Sequence, residues 1–169
     1  MEVLDELCDF ITPETRLDVK TLALHHVLSM TGSVESKALL LSHKKILDNI
    51  LTLAFKSNEQ NATNKDAFFT LINLSADEHQ ARQLLDILPD LIDKIIDYIC
   101  KEESRFSDAA CGVLSNLSRT NENCKIIAKY FTVNDSNNNE EISSRSLESL
   151  LKCFCTENFN KSNSLNYLG

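Results

Sequence analysis

A stripe of apolar residues on one side of a helix returns along this chain at intervals of 43 positions. Leu71-Ile72-Asn73-Leu74-Ser75 is echoed by Leu114-Ser115-Asn116-Leu117-Ser118, and the same step backwards reaches Leu28 within Leu24-His25-His26-Val27-Leu28-Ser29-Met30-Thr31. The aligned positions are Leu24/Ala67/Ala110, Val27/Thr70/Val113, Leu28/Leu71/Leu114 and Thr31/Leu74/Leu117. Their spacing of i, i+3, i+4, i+7 puts all four on one face of a helix, and strands would need a period of two. An interval of 43 residues lies within the ~40–47 of armadillo and HEAT repeats, whose helical units bury their apolar faces by stacking on their neighbours. The expected fold is all-α, a right-handed α-α superhelix of armadillo/HEAT type with roughly three repeats, forming one domain over residues 1–169.

Between the repeat helices the pattern predicts further helices, beginning with Glu2–Ile11 and a second that starts near Pro13, ends near Met30 and stops at Gly32. Ser36–His43 and Lys44–Lys56 follow, and after a polar linker over Ser57–Asn64 comes the repeat helix Lys65–Ala76. Asp77–Leu88, Pro89–Lys101, Ser107–Ser118 and Glu122–Phe131 complete the regular part. The run Asn134-Asp135-Ser136-Asn137-Asn138-Asn139-Glu140 breaks the periodicity, which predicts a flexible loop near 132–140. Glu141–Cys155 resumes a helical pattern, and the apolar end at Leu165–Gly169, where a solenoid would carry a polar cap, predicts the N-terminal part of a longer solenoid.

Composition narrows the function. Only three Gly and two Pro occur, which suits long helices, and 43% of residues are hydrophobic, enough for a continuous core. The net charge of −8 disfavours nucleic acid and anionic membrane as partners. No run of ~20 apolar residues is present, and Glu2, Asp5, Glu6 and Asp9 stand where a secretion signal would be basic, so the expected compartment is the cytoplasm, with the nucleus second. In that setting the six cysteines read as reduced core residues, and the five Asn-x-Ser/Thr triplets as chance matches.

Candidate partner-binding positions lie beside the core stripe. His26/Phe69/Gly112, and one turn further Met30/Asn73/Asn116, form rows across the stack. In an armadillo unit this face is concave, and an Asn there offers an acceptor and a donor to an extended peptide. The plainer use of Asn73 and Asn116 is bonding to turns at their helix ends, and the two readings weigh evenly. No cofactor, metal or catalytic site is expected: Cys153-x-Cys155 is too short for a zinc pair, His25 and His26 diverge by ~100°, and no phosphate loop or nucleophile elbow accompanies any Cys or His.

Thr12-Pro13-Glu14-Thr15-Arg16-Leu17-Asp18-Val19-Lys20, Leu28-Ser29-Met30-Thr31-Gly32, Lys65-Asp66-Ala67 and Leu71-Ile72-Asn73-Leu74-Ser75-Ala76-Asp77, in that order, resemble the HGH-one homolog family of armadillo-like proteins. The resemblance implies a non-enzymatic adaptor in protein folding, with newly made elongation factor two as client and the cytosolic chaperonin as partner. It brings no catalytic or binding residues. An importin-type scaffold for basic peptides is the first alternative, weakened by the absence of Trp, and a cysteine-dependent enzyme is the second.

Overall fold

The computed structural model describes residues 2–56, 62–99 and 105–133, and among these the protein is all-α, with nine helices and no strand. The chain divides into two compact units, Met1–Pro89 and Asp90–Gly169. The first holds α1 (Glu2–Phe10), α2 (Leu17–Met30), α3 (Val34–Ser42), α4 (Lys44–Phe55), α5 (Ala62–Leu74) and α6 (Glu78–Ile87); the second holds α7 (Leu91–Ile99), α8 (Ser107–Leu117) and α9 (Asn121–Val133). None of the described helices is long and apolar enough to cross a membrane. Of the loop expected near 132–140, Thr132 and Val133 belong to α9; residues 134–140 and the helix expected at 141–155 lie outside the described residues.

In the first unit the 43-residue echo becomes a packing rule. Helices one interval apart lie against each other: α1 on α4, α2 on α5 and α3 on α6. Within each copy, α1 packs on α2 and α4 on α5. The aligned stripe is the reason. Leu24, Val27, Ala67, Thr70, Leu71 and Leu74 are fully buried, Thr31 is nearly so, and Leu28 is half-buried. At ~1.5–3 kcal/mol for each large apolar side chain removed from water, the stripes supply the main drive for stacking. An edge-to-face contact of Phe55 with Phe68, centroids 5.1 Å apart, locks α4 onto α5. In the second unit α8 buries the third copy of the stripe, Ala110, Val113, Leu114 and Leu117, and α7 packs on it.

Equivalent helices also begin alike. Ser33 Oγ accepts from the Ser36 amide at 3.1 Å, Asp77 Oδ1 from the amides of His79 and Gln80 at 3.0 and 3.1 Å, and Thr120 Oγ1 from the Asn123 amide at 3.1 Å. These N-caps start α3, α6 and α9 and satisfy amides that the first turn leaves open.

The starts of α3 and α7 fall two residues from expectation, at Val34 and Leu91, and two other helix starts differ by three residues or more, each for a local reason. Residues 12–16 form a turn, and α2 starts at Leu17 instead of near Pro13. Lys20 is 2% exposed, and its ammonium donates to the Pro13 carbonyl at 3.0 Å, which keeps that carbonyl out of a helix. Thr15 Oγ1 adds a bond to the Asp9 carbonyl at 3.0 Å. Conversely, α5 starts at Ala62, three residues before the expected Lys65, because Asn64 is buried rather than part of the linker. Its Nδ2 reaches the carbonyls of Leu53, Ala54 and Lys56 at 2.9, 3.3 and 3.2 Å, occupying acceptors that the end of α4 leaves open.

Replacing Asn64 with Ala strands those buried carbonyls. The expected cost is ~1–3 kcal/mol, read as a lower urea midpoint at unchanged slope; an unmoved midpoint would deny Asn64 its role in joining α4 to α5.

Candidate functional site

The packing of α2 on α5 is parallel and pinned at two levels. His25 Nδ1 lies 3.4 Å from Asp66 Oδ2, and Asn73 Nδ2 donates to Thr31 Oγ1 at 2.7 Å. The Thr31 hydroxyl spends its own proton on the Leu28 carbonyl at 2.6 Å, so its oxygen is free to accept from Asn73. Asn73 is therefore a strut between consecutive copies. Its Nδ2 turns inward, while Oδ1 has no partner among the described residues.

These contacts fix which side chains share the outer face. On α5, Lys65 and Phe69 follow at i, i+4 on the side open to solvent, and Asn73, one turn further, is half-buried towards α2. Phe69 is 40% exposed, and the Lys65 ammonium stands 5.7 Å from its ring centroid, a cation–π contact. On α2, Leu22 is 73% exposed, and the His25 side chain is open despite its contact with Asp66. His26 is exposed ~100° further round, on the side of α2 away from α5, and Met30 lies one turn beyond it, half-buried. Thus Phe69 stands open beside Lys65 and Asn73 lies at the seam with α2, with His26 and Met30 turned away from both.

In the second unit Gly112 and Asn116 are half-buried on α8. Asn116 Oδ1 accepts from the Arg119 guanidinium at 2.9 Å, a bond to the turn that ends the helix. Leu22, His25 and Lys65 were missed in the sequence. A signal existed, since Lys65 precedes Phe69 by one turn and Leu22 precedes His26 by one turn.

Charge on this face runs against the charge of the whole chain. The carboxylates that α2 and α5 carry are both engaged: Asp18 faces the Arg16 guanidinium, which holds its carboxyl below the ordinary range, and Asp66 faces His25. Lys65 makes no ion pair among the described residues.

One row of side chains has the order of a nucleophile, a base and an acid. Cys8 Sγ lies 3.6 Å from His43 Nδ1, and His43 Nε2 lies 3.0 Å from Asp5 Oδ1. His43 is the N-cap of α4, its Nδ1 accepting from the Ile46 amide at 3.4 Å. The imidazole proton then sits on Nε2, towards Asp5, and the Cys8 thiol donates to Nδ1. Cys8 is 0% exposed, and burial pushes its thiol pKa up. A protonated, water-excluded sulfur is the opposite of an activated nucleophile. The row instead ties α1 to the start of α4, as does Asn49 Nδ2, which donates to the Cys8 carbonyl at 3.2 Å. Cys8 and Cys124 carry thiols outside any disulfide, and no group of three or more His, Cys, Asp or Glu able to hold a metal occurs among the described residues.

Two outcomes follow from these contacts. A double-mutant cycle of Thr31→Val and Asn73→Ala should give a coupling of ~0.5–1.5 kcal/mol in chemical denaturation, and additive losses would deny the strut. In peptide mapping after iodoacetamide at pH 7, exposed Cys124 should label well before buried Cys8. With the Cys8 pKa raised, its thiolate forms only at higher pH, so its labelling should rise later than that of an ordinary thiol; Cys8 labelling first would make it a reactive site.

A family model described as a domain of unknown function, DUF383, matches residues 98–169. Among curated proteins, Protein HGH1 homolog of Danio rerio is 39% identical over 96% of this chain and 40% of its own length. The protein of that name from Drosophila pseudoobscura pseudoobscura is 40% identical over 70% of this chain and 33% of its own length, and that from Homo sapiens 29% over 96% and 39%. The chain spans about two fifths of the length of the first of these relatives. With the same name recurring over nearly all of its residues, the chain belongs to the family of HGH1 homologs.

Proposed function

We propose that the protein is a folding adaptor that holds a client protein reversibly on the outer face of α2 and α5 and performs no chemistry on it. The observation that carries this reading is the exposure of Phe69 beside Lys65 on a helix pinned to α2 at His25–Asp66 and Asn73–Thr31. Large apolar side chains held open on a rigid frame give contact area at little ordering cost, and an exposed aromatic in such a place is a typical binding anchor. Following the family resemblance, the proposed client is newly made elongation factor two, the proposed partner the cytosolic chaperonin, and the proposed compartment the cytoplasm. The importin-type alternative fits less well. A groove for basic peptides needs available carboxylates, and those of α2 and α5 face Arg16 and His25 while Lys65 stands without one.

Affinity purification from cytosol with the intact chain and with Phe69→Ala, read by mass spectrometry, tests the proposal. Elongation factor two or chaperonin subunits should be recovered by the intact chain and reduced about tenfold by the variant, the usual scale for an aromatic anchor. Phe69 is exposed, so the variant keeps the fold. Recovery of neither protein by the intact chain would sink the adaptor reading, and equal recovery by both forms would move the site off this face.

A further inference from the structure

Resting on the protein-binding reading above, we propose that the α2–α5 face selects an acidic segment of its partner: an extended stretch with a carboxylate two residues from a large apolar side chain. Charge complementarity chooses the carboxylate. In a chain of net charge −8, this face carries Lys65 with no ion pair among the described residues, while Asp18 and Asp66 are engaged by Arg16 and His25. An approaching anion meets a cation that needs no freeing from an internal partner. An approaching cation meets Lys65, while the Asp66 side chain is turned into the seam with α2 at 14% exposure and Asp18 faces Arg16.

Spacing chooses the second position. Lys65 and Phe69 are one turn apart, ~6 Å along α5 at 1.5 Å per residue. An extended peptide advances ~6.6–6.8 Å over two residues and returns its side chains to the same side over that step. A carboxylate on Lys65 therefore brings the side chain two residues on over the exposed ring of Phe69. The Lys65 ammonium already stands 5.7 Å from that ring, so charge and apolar surface form one continuous subsite. One further turn along, Asn73 has one Nδ2 hydrogen engaged by Thr31 and its Oδ1 open, so Oδ1 is there to accept a backbone N–H of the same segment.

Fluorescence anisotropy with the whole chain tests the selection. The probe is a fluorescein-labelled peptide of three Glu-Ser-Leu-Ser repeats, and the comparison peptide has Lys in place of Glu. The acidic peptide should bind about tenfold tighter, Lys65→Glu should remove about that factor, and added salt should weaken binding. Lys65 is exposed and lies in the first turn of α5, where Glu suits the helix dipole, so the variant folds. Arg82→Glu on α6 makes the same change in net charge elsewhere and should alter binding less than about twofold. Equal binding of the two peptides, or equal losses in the two variants, would overturn the proposal. If the cytosolic client is captured while Lys65→Glu leaves its capture intact, the acidic selection fails and the adaptor reading stands. If the acidic peptide binds through Lys65 while no client is captured, the reverse holds.

Discussion

Everything described in the first unit depends on one constraint: a helix with its apolar stripe on one side must lie against the equivalent helix of the neighbouring copy. Neither α2 nor α5 encloses its own Leu24–Val27 or Leu71–Leu74 surface, and each becomes dry when the other lies beside it in parallel. Apolar contact alone would tolerate sliding by a turn, because the stripe repeats along the axis. The bond from Asn73 to Thr31 and the approach of His25 to Asp66 remove that freedom, since a shift of one turn breaks both.

That register decides what is left outside. With Ala67, Phe68, Leu71 and Leu74 turned to the core and Asp66 and Asn73 turned to α2, the positions of α5 that remain for solvent include Lys65 and Phe69. A lysine and an aromatic ring there are consequences of the packing geometry as much as of their own chemistry. The row from Cys8 through His43 to Asp5 shows the converse case. Residue types that suggest catalysis are drawn together by the need to cap α4 and hold it to α1, and the burial that achieves this suppresses thiolate formation.

The helices and their interval could be read from the sequence because the stripe is a packing requirement, and packing writes itself as periodicity. The breaks came where a polar side chain is buried. Lys20 and Asn64 look like surface residues in a hydropathy pattern, yet each is drawn inward by backbone carbonyls, at Pro13 and at the end of α4, and each moves a helix start by several residues. The candidate face was legible only in part for a similar reason. Phe69 and Asn73 stand out by type, whereas the pairing of His25 with Asp66, and hence the outward turn of His26 away from α5, depends on a contact 41 positions distant that no local pattern encodes.

Asn64 has a consequence for how the chain can vary. Its carboxamide joins α5 directly to the last turn of α4 across 8–11 positions of sequence, a bond between the two helices that does not run through the backbone. Loop closure costs rise only slowly with length. A longer connection between α4 and α5 therefore adds little entropic cost while Asn64 keeps the two helix ends together, which lets relatives differ in length there.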